Sequence, residues 1–182
     1  MTVVGVLVLT PDTLLIRLAA TDHWTLVFWR GALMSVALFL VIFWQYRKGV
    51  GQAFMRIGKT GLVVGLFYGL SSIFFVSAVT YTGVANTLII VASAPMFAAV
   101  LGWFILRETV PFRTILAIIA TFVGILVVVG GDMGENSLIG DLLALGTAIV
   151  MAGIFVLVRR AKTVNMIPAT AIGGVIAAIA SL

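Results

Sequence analysis

Residues 84–106 read "VANTLIIVASAPMFAAVLGWFIL", without one charged side chain. A helix needs about 20 mainly apolar residues to cross the hydrocarbon core of a bilayer. The stretch is long and apolar enough for that, so it predicts a membrane-spanning helix.

The composition extends this prediction to the whole chain. Of 182 residues, 63% are hydrophobic and 9% are charged, whereas soluble domains carry about 25% charged residues. So few charges cannot coat a water-facing surface, and the surface must therefore face lipid. The net charge of +5 does not indicate a nucleic-acid partner, because the basic residues lie in short joints between apolar runs.

Apolar segments of spanning length, or close to it, recur along the chain. They are Val3–Ala20, Trp24–Tyr46, Gly58–Thr80, Val84–Leu106, Phe112–Gly130, Ile139–Val158 and Met166–Leu182. Short polar or glycine-containing joints separate them. The sequence thus predicts an all-α, polytopic membrane bundle of about seven transmembrane helices.

The basic residues predict the orientation of this bundle. Nine of the 11 Lys and Arg residues fall in joints on one side, namely Arg47, Lys48, Arg56, Lys59, Arg107, Arg113, Arg159, Arg160 and Lys162. Joints rich in Lys and Arg stay in the cytoplasm. We therefore expect a multi-pass protein of a bacterial inner (plasma) membrane with its amino terminus in the cytoplasm.

Several classes of chemistry are disfavoured by the residue inventory. The chain has no cysteine and one histidine, His23, so a disulfide, a thiolate site or a zinc site is not expected. Asp12 is the one acid well inside a predicted helix, which leaves no paired acids for an enzyme. No nucleotide-binding loop is present, so ATP is not expected to drive the protein, and no cofactor is expected.

Small residues form stripes that predict close helix packing. They recur every four positions at Gly61, Gly65 and Gly69 and again at Ala98 and Gly102. Such stripes let helix backbones approach closely in lipid. Ordinary helix packing explains these stripes. The alternative is that they form a helix face that slides along a neighbouring helix when the protein changes conformation.

Asp12 and Arg30 stand inside apolar segments, where a charge is expensive unless it is paired or faces a wet cavity. Asp12 and Arg30 lie at similar depths on adjacent predicted helices, about 12 Å and about 9 Å from the outer ends at the helical rise. We therefore expect them to pair, either as a site lining a pathway or as a structural ion pair. Pro11, beside Asp12, leaves a backbone carbonyl free.

Further pathway candidates are polar, aromatic or kink-forming residues of the third and fourth segments, namely Tyr68, Ser72, Phe75, Asn86, Ser93, Pro95 and Met96. The face formed by Tyr68, Ser72 and Phe75 is either a polar lining or ordinary packing. Pro95 frees the carbonyl of Val91, which indicates either a cavity wall or a packed kink.

The chain also repeats itself weakly. Laying "LLIRLA" (14–19) over "FVLVRRA" (155–161) matches Arg17 with Arg159. If the sixth segment restarts the pattern of the first, the repeat is five helices long. An odd number of helices inverts the second copy, as in many secondary transporters.

At residues 85–131 the sequence resembles the EamA pattern of the drug/metabolite transporter superfamily, with Pro95 mid-helix, Glu108 at a helix end, and then Gly124 and Gly130. "GDLLALGTAIVMAGIFVLVRRA" (140–161) is similar to the opening of that family's second repeat, and "WRGALMSVALFLV" (29–41) to its second helix. The resemblance implies two inverted five-helix repeats. Residues 3–131 would form the first, and residues 139–182 the beginning of a truncated second.

By the same resemblance, the expected function is secondary transport of small metabolites or drugs by alternating access. The expected partners are membrane lipid and a small-molecule substrate, with a second copy of the chain as a further candidate. A non-transporting membrane subunit or sensor, or an inactive fragment, is the alternative.

Overall fold

The computed structural model describes residues 23–107, 111–131, 135–161 and 165–182. In chain order these form α1 (His23–Tyr46), a 3₁₀ turn (Arg47–Gly49), α2 (Val50–Arg56), α3 (Gly58–Tyr81), α4 (Val84–Val91), α5 (Ala94–Leu106), α6 (Phe112–Gly131), α7 (Glu135–Arg160) and α8 (Ile167–Ala180). The described ranges contain no strand. The first predicted segment lies outside them, with Pro11, Asp12 and Arg17, and so does Glu108.

Four stretches of the described chain are long and apolar enough to cross a membrane: Trp24–Tyr46, Gly58–Tyr81, Val84–Leu106 and Leu138–Arg160. Two shorter apolar helices, Phe112–Val127 and Ile167–Ala180, accompany them. A helix of 24 residues such as α3 is about 36 Å long, enough for the hydrocarbon core of about 30 Å. The all-α membrane fold predicted from the sequence is confirmed.

The stretch at residues 84–106 differs from its prediction, because two helices form where one was expected. α4 ends at Val91 and α5 begins at Ala94. Pro95 has no N–H to donate to Val91, so the regular ladder cannot pass through it. Instead the carbonyl of Ser93 accepts the N–H of Met96 at 2.9 Å and starts α5 anew. Pro95 therefore occupies the first turn of α5, where proline is tolerated.

α3 lies at the centre of the bundle and packs most extensively against α7 and α8. Gly140 of α7 lies against Thr82, just after α3, whereas Gly153 lies against Phe67. α7 is therefore antiparallel to α3. α8 is parallel to α3, since Gly65 meets Ala169 and Gly69 meets Gly173.

Three clusters of buried side chains join α3 to α1, α4, α7 and α8. The clusters are Val64, Ile154 and Ala169 between α3, α7 and α8; Val27, Val76 and Ala177 between α1, α3 and α8; and Ala78, Ile90 and Ala144 between α3, α4 and α7. Alanine recurs in all three, which keeps the helix axes close.

Glycine brings α8 still closer to α1 and α3. A Cβ on Gly65 would lie 2.9 Å from the carbonyl oxygen of Ala169, and one on Gly31 would lie 2.6 Å from that of Gly174. Both distances are shorter than van der Waals contact allows. The predicted packing residues Gly65 and Gly69 thus touch α8, and Gly102 is buried in α5.

The antiparallel pairing of α3 and α7 brings basic residues to one end of the bundle. Arg56 and Lys59 flank the start of α3, and Arg159 and Arg160 end α7. The opposite end contains the turn at Thr82 and Gly83 and the first turns of α7.

We expect Gly31→Ala to destabilise the protein by about 1–3 kcal/mol, as overpacking does in a tight core. The added methyl group would meet the backbone of Gly174 and Ala178, which cannot rotate away. Thermal unfolding of the detergent-purified protein measures the effect. Gly124→Ala is the matched control, because nothing lies within 4 Å of its Cβ position. Equal melting temperatures for the two variants would contradict the close α1–α8 contact.

Candidate functional site

A cavity of about 380 Å³ opens between α1, α3, α4, α7 and α8. Its polar and charged lining consists of Arg30, Tyr68, Ser71, Ser72 and Thr147. The apolar lining consists of Met34, Phe75, Leu88, Val91 and Met151. The cavity therefore combines one cationic group, several hydroxyl groups and a flexible apolar wall.

The charged part of the lining is ordered by an aromatic ring. The guanidinium carbon of Arg30, on α1, lies 5.1 Å from the ring centroid of Phe75, on α3. A cation within about 6 Å of a ring face is attracted by the negative π-face. This contact joins two helices at the cavity and holds the positive charge against its wall.

The hydroxyl groups of the lining can accept hydrogen bonds from a ligand. Ser71 Oγ donates to the carbonyl of Tyr68 at 3.1 Å, and Thr147 Oγ1 donates to that of Leu143 at 2.9 Å. Because each proton is given to the backbone of its own helix, the oxygen lone pairs remain for another donor. Both residues are buried.

Glycines give the cavity part of its shape. Gly31, Gly173 and Gly174 line it where α8 meets α1 and α3. A Cβ on Gly173 would overlap Tyr68 and the backbone of Gly65. The residues that let these helices touch therefore also form a wall of bare backbone.

The helix break borders the same cavity, since Leu88 and Val91 at the end of α4 belong to its lining. Residues just beyond the break do not belong to it. Ser93 and Met96 are buried, and Ser93 Oγ donates to the carbonyl of Ile90. Pro95 is exposed.

The structure thus brings together four of the pathway residues predicted from the sequence: Arg30, Tyr68, Ser72 and Phe75. It places Ser93, Pro95, Met96 and Asn86 outside this lining. Asn86 lies near the end of α3, where its amide donates to Thr82 Oγ1 at 3.4 Å. Asp12 falls outside the described residues, so its pairing with Arg30 stays a prediction.

Sequence reasoning missed the part of the lining that comes from α7 and α8, and also some lining residues of α1, α3 and α4. Thr147 could have been noticed as a hydroxyl within an apolar run. Met34 and Met151 carry no such signal, because methionine is an ordinary residue of apolar helices. Ser71 is adjacent to Ser72, but the periodicity favoured only the latter.

Among residues 23–107, 111–131, 135–161 and 165–182, no three His, Cys, Asp or Glu side chains group closely enough to hold a metal ion. The arrangement is suited to bind a small molecule with both polar and apolar parts.

A family model described as the EamA-like transporter family matches residues 3–130. That range includes α1 to α5 and nearly all of α6. Comparisons with curated proteins and with solved structures give no match.

Proposed function

The chain belongs to the EamA-like transporter family, and on that premise we propose that it is a secondary transporter of small metabolites or drugs that works by alternating access. The observation that carries this proposal is the cavity between α1, α3, α4, α7 and α8. Its volume of about 380 Å³ lies within the range of small-molecule sites, about 300–1,000 Å³.

The lining of the cavity supports a binding role. A cationic side chain and hydroxyl groups inside an apolar bundle cost free energy, so a position within a membrane span favours function. We propose that Arg30, Tyr68, Ser72 and Phe75 line the substrate pathway together with Thr147. Asp12 is proposed to join them as the partner of Arg30, and Asn86 to lie toward the outer mouth.

The helices around the cavity also support the proposed inverted repeat. α1, α3 and α4 belong to the first predicted repeat, and α7 and α8 to the second. Binding sites of inverted-repeat transporters lie between the two copies near the bilayer midplane. A cavity bounded by helices of both copies is what that arrangement requires.

For the membrane orientation, we propose that the basic end of the bundle faces the cytoplasm. Arg56, Lys59, Arg159 and Arg160 share that end, and an excess of Lys and Arg favours retention on the inside. The turn at Thr82 and Gly83 then faces outward.

Cysteine labelling tests this orientation, since residues 1–182 contain no cysteine. Tyr81→Cys, at the end of α3, should react with a membrane-impermeant thiol reagent added to intact cells. Arg56→Cys, at the opposite end, should react only with a permeant reagent. Both native side chains are exposed, so a difference in labelling would not come from burial of one position inside the protein. The reverse labelling pattern would overturn the orientation.

Transport is tested with the purified protein in liposomes and a panel of radiolabelled amino acids, organic acids, nucleobases and cationic drugs. We expect flux of at least one compound, and Phe75→Ala should lower it about 5-fold to 30-fold, the equivalent of a cation–π contact of about 1–2 kcal/mol. Phe104→Ala is the matched control, because Phe104 is 68% exposed on α5.

Flux through the two variants and the wild type shows whether the cavity is the substrate pathway and whether the protein transports at all. An equal loss of flux in Phe75→Ala and Phe104→Ala would show that the cavity is not the pathway. No flux of any compound through the wild-type protein would favour a non-transporting membrane subunit or sensor, or an inactive fragment.

A further inference from the structure

A buried acid lies apart from the cavity lining, in the first turns of α7. Asp141 is 4% exposed. Its Oδ1 atom accepts a hydrogen bond of 2.6 Å from the hydroxyl of Thr82. Its Oδ2 atom is sealed from solvent and has no hydrogen-bond partner in the described parts of the chain. The carboxyl group is therefore only half satisfied.

The approach of α7 to the α3–α4 turn causes this burial. A Cβ on Gly140 would overlap the backbone of Tyr81 and Thr82, so a larger residue could not stand there. Gly83, the next residue of the turn, has a positive φ of 106°, which glycine adopts without strain. Two glycines thus bring the start of α7 against the turn and enclose the carboxyl group.

The neighbouring polar groups supply one donor to the acid. The Asn86 amide donates to Thr82 Oγ1 at 3.4 Å, and the Thr82 hydroxyl donates its single proton to Asp141 Oδ1. This chain fixes the direction of the hydroxyl. Oδ2 is left as a buried oxygen that a positive charge would satisfy.

Within the described ranges, the elements packed around Asp141 place no basic residue at this end of the bundle. On α3, Tyr81 stands beside Thr82, while Lys59 lies near the start of the helix. α4 and α5 contain no charged residue, and Arg113 opens α6. On α7 itself, Arg159 and Arg160 occupy the far end. A carboxylate buried in a membrane span without compensation is costly.

We propose that Asp141, held by Thr82 and Asn86, binds a monovalent cation, either a proton or Na⁺, at Oδ2. A proton would form an O–H bond on Oδ2 while Oδ1 continues to accept the Thr82 hydroxyl. Na⁺ would be bound through the same oxygen. In both cases the cation neutralises the acid.

The proposed cation site and the cavity lie close together along α7. Thr147, which lines the cavity, lies about 9 Å further along α7 at the helical rise. A change in the contact between α7 and the α3–α4 turn therefore occurs close to the proposed binding site. Use of this cation to drive transport rests on the proposed function, whereas the cation site itself does not.

Two measurements on the detergent-purified protein test the site without any transport assay. If the cation is Na⁺, replacing N-methylglucamine by Na⁺ at constant ionic strength should raise the melting temperature of the wild type and not that of Asp141→Asn. If it is a proton, the wild type should show the infrared carbonyl band of a protonated carboxyl group, and Asp141→Asn should lack it. The chain has only six Asp and Glu residues, which limits overlap in that spectrum.

A second variant keeps the test decisive if Asp141→Asn does not fold. Thr82→Val removes the hydrogen bond to Oδ1 but retains the acid, so it should shift the infrared band or change the Na⁺ response. A wild-type protein with neither a Na⁺ response nor a protonated-carboxyl band would overturn the proposal. Wild-type liposomes without flux would count against transport and leave this site unaffected.

Discussion

The close contact of α8 with α1 and α3 is the interaction on which the rest of the bundle depends. Lipid tails are as apolar as leucine, so burial of apolar side chains does not drive helices together in a bilayer, and close backbone packing must do so. Gly31, Gly65 and Gly69 provide that packing against Ala169, Gly173 and Gly174. Gly31, Gly173 and Gly174 also leave bare backbone in the cavity wall, so helix association and cavity shape share an origin.

Two charged side chains within the described spans are enclosed in the bundle, whereas the basic residues at the helix ends are exposed. Arg30 lies against Phe75 in the cavity, and Asp141 is enclosed by α7 and the α3–α4 turn. α6, in contrast, presents exposed apolar side chains such as Phe112 and Leu126 along its length, as a helix facing lipid does. A chain with 9% charged residues has few charges to place, and each buried one therefore needs a physical reason.

Hydropathy predicted the helices well, because the length of a spanning segment is set by the bilayer. The segment predicted at Gly58–Thr80 is α3 (Gly58–Tyr81), and the one predicted at Met166–Leu182 contains α8. Hydropathy could not separate α4 from α5, because a break in the backbone does not lower the hydropathy of the residues around it. Periodicity placed Tyr68, Ser72 and Phe75 on one face, but their partners Thr147 and Gly173 depend on tertiary pairing. Asp141 lies inside the predicted segment Ile139–Val158, but its burial against the α3–α4 turn also depends on tertiary pairing.

The break between α4 and α5 gives the cavity an electrical asymmetry. α4 has eight residues and is about 12 Å long, so its carboxyl end falls inside the membrane instead of at the interface. Pro95 cannot donate to the carbonyl of Val91, so this carbonyl keeps its partial negative charge, and Val91 lies at the cavity wall. With the full positive charge of Arg30 on the same wall, the cavity has two electrical poles. A dipolar molecule entering it would have one preferred orientation.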